Sequence, residues 1–331
     1  MRIIDQESLK SNPILLREMR PSGFHRHNMD LCDTHTRNVT RGGGFEEVAE
    51  CPLCASMERD PFDEKCGIPH FTCRECLCGY PGKMPKDLTD VYGGDEYVEE
   101  FSGVDAAREN YKKERFGKER LAIIGDVLGG LSGKRILDVG CGTGWFLELC
   151  KENGMECYGQ ELGREHAAFT RARLGVEVFD VPIDEIPDRD GYFDVIVMFD
   201  LIEHLRRPVD FIRSLKVKLR QGGIILVFTP NFNSFGMQKL KRNSSLLFPT
   251  DHLCLFTEKT VARLAELVDM RVSWMSFNGI DMGDYLSFLE AEGHHLHEDV
   301  KQRLYDDLQP ILDFFRYSNH FRFILTFNGN P

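Results

Sequence analysis

Cys51 and Cys54 form one C-x2-C pair, and Cys73 and Cys76 form a second after eighteen intervening residues. Each pair sets two thiolates on a tight turn, and two such turns complete a tetrahedron around Zn2+ that is closed to water and substrate. A centre of that kind is structural rather than catalytic. Cys66, His70 and Cys78 lie close enough in sequence to substitute for one of the four, whereas His25, His27, Cys32 and His35 show no ligand spacing and read as ordinary surface polarity.

A second set of residues is spaced for binding an organic cofactor. Residues 136–145 read ILDVGCGTGW, an apolar strand that delivers Gly140, Gly142 and Gly144 on alternate positions into the start of a helix. Glycines there let the backbone turn sharply and approach a ligand closely. The dinucleotide fingerprint G-x-G-x-x-G asks for glycine at its sixth place, which here is Trp145, so a pyrophosphate is disfavoured. About twenty residues on, the next strand ends at Glu161, where a carboxylate can accept hydrogen bonds from both ribose hydroxyls. Asp180, after the third strand, is placed to hold the edge of an adenine with the following backbone N–H. Asp200 and Leu201 end the fourth strand at the same sheet edge and would line the cofactor.

Two histidines stand beyond these positions. His204 follows the fourth strand in the segment Glu203-His204-Leu205, and His252 lies in Pro249-Thr250-Asp251-His252-Leu253 after the fifth. Imidazole is the side chain whose proton affinity suits base catalysis near neutral pH, so both are candidate catalytic bases, with loop packing as the alternative for each. Residues 231–248 carry Lys239, Lys241 and Arg242, a locally basic stretch that reads first as a solvated charged loop, with a phosphate on the acceptor as the alternative it could meet.

The elements that must position these groups alternate in type. Strand-like runs begin at 135, 156, 176, 193 and 224, and helical runs separate them, which is the pattern of a parallel, doubly wound sheet. An amphipathic helix over 105–130 leads into it, further strands near 271–277 and 321–327 complete it, and an acid-rich helical insertion occupies about 281–317. Residues 1–50 show no sustained period, and 51–84 hold short polar segments between the cysteines. The expected organisation is an N-terminal extension (1–50), a zinc ribbon (51–85), a helical linker or lid (86–132) and an α/β domain (133–331).

Composition narrows the function. The chain has 331 residues, 42% of them hydrophobic, enough for a buried core. A net charge of −12 opposes a sequence-blind grip on nucleic acid and leaves a small-molecule partner as the expectation. Arg2, Asp5, Glu7 and Lys10 interrupt the start of the chain, and the aliphatic runs are too short to span a bilayer, so a cytoplasmic, membrane-free protein is expected, and its eleven cysteines are read as ligands or buried thiols rather than disulfides. Oligomeric state stays open.

Residues 133 to about 260 resemble the class I methyltransferases that use S-adenosylmethionine (SAM), in the branch with D-V-G-C-G-x-G and a later E-H-L. The resemblance implies a Rossmann-like, mostly parallel seven-stranded sheet whose last strand is antiparallel. It also implies that Asp138 and the loop from Gly140 through Cys141 and Gly142 to Gly144 surround the methionine end of SAM, with Glu161 on ribose and Asp180 at adenine. With the ribbon in front, the chain is similar to zinc-containing methyltransferases of sugar and secondary-metabolite pathways. That similarity implies methylation of an oxygen or carbon on a small metabolite such as a sugar or nucleotide-linked sugar, with Tyr92 and Tyr97 as lid residues. The sugar enzymes carry a second large domain for which the C-terminal part here leaves no room. A ribbon ahead of a SAM domain also occurs in RNA methyltransferases, which the acidic balance disfavours, and a non-catalytic module is disfavoured by the intact glycine loop.

Overall fold

The computed structural model describes residues 15–87 and 106–329; Tyr92 and Tyr97 lie outside the described residues. In the N-terminal part, β1 (Phe45–Glu47) pairs antiparallel with β5 (Lys83–Pro85), while β2 (Arg59–Lys65), β3 (Ile68–Cys73) and β4 (Gly79–Pro81) form a three-stranded antiparallel sheet. The segments between the cysteines are therefore strands of up to seven residues. Their polar alternation, with Asp60, Asp63 and Glu64 on β2, hid them from a reading based on apolar content.

Seven strands form the large sheet: β6 (Arg135–Val139), β7 (Glu156–Gln160), β8 (Glu177–Phe179), β9 (Phe193–Phe199), β10 (Leu219–Pro230), β11 (Met270–Phe277) and β12 (His320–Phe327). Their order is β11-β12-β10-β9-β6-β7-β8, and the final strand β12 runs antiparallel between β10 and β11. The parallel β9-β6-β7-β8 half is joined by helices such as Trp145–Glu152 and Arg164–Leu174. Central strands are apolar on both faces because helices cover both sides. On β9, Phe193, Ile196 and Met198 enter one core while Val195 and Val197 enter the other. Each such side chain, fully withdrawn from water, contributes about 1.5–3 kcal/mol.

The ribbon does not stand apart as a knob. Cys51, Leu53, Cys73, Cys76, Cys78 and Tyr80 share one core with β9, β10 and β12. The Gly79 N–H donates to the Leu255 carbonyl at 2.9 Å, the Leu255 N–H donates back at 2.7 Å, and the Thr260 hydroxyl donates to the Cys76 carbonyl at 2.9 Å. A Cβ on Gly79 would lie 2.6 Å from the Phe232 ring, so only glycine allows that approach.

The extension also departs from the reading of its sequence. Phe24–Arg41 is an 18-residue helix whose buried residues, His25, Cys32 and Val39, recur every seven positions. Two of those three are not aliphatic, so the inward stripe carries little hydrophobic signal. Leu16 joins Ile280, Met282, Leu286 and Tyr305 in a small separate core, and Arg20 pairs with Asp284, so the extension and the helices Asp281–Ala291 and Glu298–Phe314 form one cap. Among the described residues, no helix is long and apolar enough to cross a membrane.

Candidate active site

The glycine loop and the residues that meet it lie at the carboxyl ends of β6, β7 and β9. Gly140, Gly142 and Gly144 have φ of 72°, 51° and 78°, a left-handed run that turns β6 into the helix starting at Trp145. A Cβ on Gly144 would lie 2.6 Å from Thr170 Cγ2, whereas above Gly142 there is open space. Glu161 is organised by this loop: its Oε2 accepts from the Gly142 N–H at 3.0 Å and its Oε1 from the Gly163 N–H at 2.7 Å. Each oxygen retains a lone pair for a ligand hydroxyl.

Asp138, at the end of β6, is 4% exposed, and burial pushes its carboxyl up to about 7, with the Arg120 guanidinium opposing. Cys141 is buried, and its thiol is raised chiefly by that burial. Asp180 is half-exposed and 3.2 Å from Arg171 Nη2. Leu201 lies against Gly140, 3.4 Å from where its Cβ would be, and Asp200 adopts φ of 52° where β9 ends. Gly140, Cys141, Gly142 and Glu161 therefore meet at one sheet edge with Asp200 and Leu201, while Asp180 stands at its rim.

Arg120 is a residue that sequence reasoning missed. It lies in the helix Lys118–Leu128, is 6% exposed, and stacks its guanidinium over Phe199 at 3.8 Å, Phe228 at 4.6 Å and Trp145 at 5.4 Å. Among the described residues its Nε has no hydrogen-bond partner and no carboxylate is within ion-pair reach, although Asp200 and Asp138 act on it through space. Burial lowers its proton affinity only to about 10, so it stays cationic at neutral pH. A buried cation without a paired anion is costly, and the carboxylate of a bound amino acid would relieve it. Its surroundings in sequence, Lys118 and Glu119, make it look like one charge of a solvated helix.

Beyond the end of β9, His204 ends the 3-10 turn Ile202–His204, and its ring meets that of His252 edge-on at 5.0 Å. His252 Nδ1 is 2.7 Å from the Leu246 carbonyl, which can only accept, so Nδ1 carries the proton and Nε2 keeps its lone pair. Burial lowers both imidazoles, His252 to about 4, where His204 also contributes. Glu203, 1% exposed, accepts from the Thr229 hydroxyl at 2.9 Å through Oε2, while Oε1 has no hydrogen-bond partner and lies 3.9 Å from His204 Nε2. Burial, then Asp200, raises the Glu203 carboxyl well above its usual range.

The backbone of Glu203 holds the second histidine in place, since its carbonyl accepts from Leu253 N at 2.8 Å and Cys254 N at 3.0 Å. His320 Nε2 is 3.7 Å from Asp200 Oδ1, and His35 of the cap is 3.4 Å from Asp251 Oδ2. His35 and Cys32 are thus interior contacts, not surface polarity, and His25 packs edge-on against Phe288 at 5.3 Å. Glu203, His204 and His252 also form a group whose ligand atoms lie within 4.8 Å and could hold a metal.

Cys51, Cys54, Cys73 and Cys76 likewise lie with their sulfurs within 4.8 Å, and the Cys51–Cys76 and Cys54–Cys73 distances are both 3.6 Å. Four thiolates about 2.3 Å from one zinc ion have edges close to that length, so the donor set fits the metal. The basic stretch does not converge. Arg242 is bound by Asp63 at 2.6 Å, and Lys239 and Lys241 are exposed. The stretch is a solvated charged loop, the first of its two readings, with its guanidinium on a carboxylate of β2.

Residues 110–272 match the family model of a methyltransferase domain. A ubiquinone biosynthesis O-methyltransferase of Acinetobacter baumannii (strain ACICU) is 29% identical over 121 residues, 34% of this chain and 51% of that protein. One of Aeromonas salmonicida (strain A449) is 28% identical over 172 residues, 47% of this chain and 71% of its own. The chain spans about half the length of the Acinetobacter relatives it matches. A SAM-dependent methyltransferase of Archaeoglobus fulgidus superposes with a TM-score of 0.45 at 20% identity, covering 70% of this chain and 97% of that one. Residues 110–272, which carry the glycine loop and most of the seven-stranded sheet, are thus a methyltransferase domain, similar in sequence to O-methyltransferases.

Proposed function

We propose that the chain transfers the methyl group of SAM to a hydroxyl oxygen of a small molecule, with His252 as the base and His204 beside it. The carrying observation is the His252 ring, neutral and with Nδ1–H committed to the Leu246 carbonyl, which makes Nε2 the proton-accepting atom beside the edge of β9. Oxygen is favoured over carbon because the matched Acinetobacter and Aeromonas relatives are named O-methyltransferases.

SAM supplies an electrophilic methyl group, and displacement from it requires chiefly in-line alignment and exclusion of water. In this reading the loop Gly140–Gly144 and Asp138 hold the methionine end, Arg120 meets its carboxylate, Glu161 accepts from ribose, and Asp180 lies at adenine. Asp200 and Leu201 wall the cofactor off from the acceptor. The cap formed by 16–41 and 281–314 excludes water, and the ribbon, with zinc on its four thiolates, buttresses the loop that carries His252. A sugar acceptor fits the many polar groups of the site, but a phosphorylated one is disfavoured because Arg242 is already paired.

The test is turnover with labelled SAM against hydroxylated acceptors, catechols and sugars among them, using the full chain. His252→Ala should lose most of kcat while the Kd for SAM stays within about twofold. If His252→Ala combined with His204→Ala kept its turnover, the reading would fail. Activity that is lost on chelation while the ribbon keeps its zinc, and that returns with Mg2+ or Mn2+, would instead assign Glu203, His204 and His252 to a metal.

A further inference from the structure

Close sulfur pairings fall into three groups among the described cysteines, and they are not alike. The Cys51, Cys54, Cys73 and Cys76 set has edges of 3.6 Å, the spacing of thiolates around one ion. Cys78 and Cys254 are 3.2 Å apart, but both are wholly buried and no reagent reaches them. Cys32 and Cys66 are 3.0 Å apart, too close for two ligands of one zinc ion and about 1 Å beyond the length of an S–S bond. Cys66 is only half-buried, at the turn between β2 and β3, where it adopts φ of 53°.

The surroundings of this third pair favour thiol chemistry. Cys66 Sγ is 3.2 Å from Asp33 Oδ1, Thr36 is adjacent on the helix, and the buried ammonium of Lys65, anchored on the Ser244 carbonyl at 2.8 Å, acts on both sulfurs. Contact with Cys32 lowers the Cys66 thiol, burial and Asp33 opposing, while the same contact and burial raise Cys32. One sulfur is therefore the accessible nucleophile and the other the buried partner.

We propose that Cys32 and Cys66 are a redox modification site, closing to a disulfide by exchange with a small disulfide of the glutathione class. The Cys66 thiolate attacks one sulfur of the oxidant and expels one thiolate. Cys32 then gives up its proton and attacks the Cys66 sulfur, expelling the second. Two protein thiols lose two electrons to form one S–S bond, and one small disulfide becomes two thiols. The bond ties the helix Phe24–Arg41 to the ribbon hairpin. His35 lies one turn beyond Cys32 on that helix, touching Phe248 edge-on at 5.3 Å as well as Asp251, so the clip fixes the cap over the acceptor loop.

The experiment incubates the full, metal-loaded chain with oxidised glutathione, blocks free thiols with iodoacetamide, and maps peptides without reduction. The expected result is a Cys32–Cys66 linked peptide in most of the population, with the four ribbon thiols unlinked and a melting temperature raised by about 5 °C. Dithiothreitol should reverse both, and Cys66→Ser should show neither. A lasting glutathione adduct on Cys66 with Cys32 still alkylated would overturn the proposal. So would linkage of other cysteines, or an equal rise in Cys66→Ser. The wild-type peptide map decides the matter even if a variant fails to fold.

Discussion

The donor and acceptor sides of this site are built by opposite means. The donor side of the proposed site comes largely from one stretch, 135–203, and its binding atoms are mostly backbone: a loop with three left-handed glycines and one carboxylate, Glu161, held by the Gly142 N–H of that loop and the Gly163 N–H after β7. The acceptor side of the proposed site draws on residues from 35, 203–204, 251–252 and 320, brought together through side chains. A site made of backbone needs a conformation, which a short motif can encode. A site made of side chains needs a whole fold to converge, so its residues can be few, scattered and individually unremarkable.

The contrast is sharpest in turnover. His252→Ala should reduce kcat by a factor on the order of 10²–10⁴ and leave SAM affinity alone, measured by initial rates beside calorimetry. A matching loss in both would move His252 to the donor side. Next in size, Gly142→Arg fills the open space above the loop and should weaken SAM binding by ~100-fold, about 2.7 kcal/mol, with an unchanged circular dichroism spectrum. Retained affinity would show that the cofactor does not rest there.

Arg120→Met should cost ~10-fold in SAM affinity while thermal stability holds or rises, because an apolar side chain replaces a buried charge that has no paired anion among the described residues. A drop in stability with affinity intact would make Arg120 a packing residue.

The smallest effect concerns pH. Asp138 on the donor side and Asp281 in the cap are both raised from 3.8 to about 7 by burial. A carboxyl raised on folding contributes stability that is complete below about pH 4 and is lost as pH rises through 7. The melting temperature should therefore fall by a few degrees between pH 5 and pH 8. Asp138→Asn should remove part of that slope with little other change. Asp281→Asn should lower stability at every pH, since Asp281 accepts from the backbone N–H groups of Gly236 and Asn319 and an amide nitrogen cannot. Equal behaviour of the two variants would erase the distinction between the two sides.

Read from the residues alone, the strand and helix order, the glycine loop with Glu161, and the two cysteine pairs were all visible, and a sheet of seven strands with an antiparallel last strand is what the structure contains. The helix Phe24–Arg41 was not visible, because its buried stripe is His25, Cys32 and Val39 and carries no apolar rhythm. Arg120 was hidden among helix charges, and Arg242 gave no sign that Asp63, far away in sequence, would take it.

By itself the sequence determined what depends on near neighbours: φ-permissive glycines after an apolar strand, and thiolates paired on tight turns, whose chemistry is set within a few residues. Only the tertiary structure decided which titratable groups lose their water and whom they meet. Desolvation and long-range pairing shift Glu203, His204, His252 and Arg120, and they bring Cys32 to Cys66. Those properties belong to the fold's interior and to no single segment of the chain.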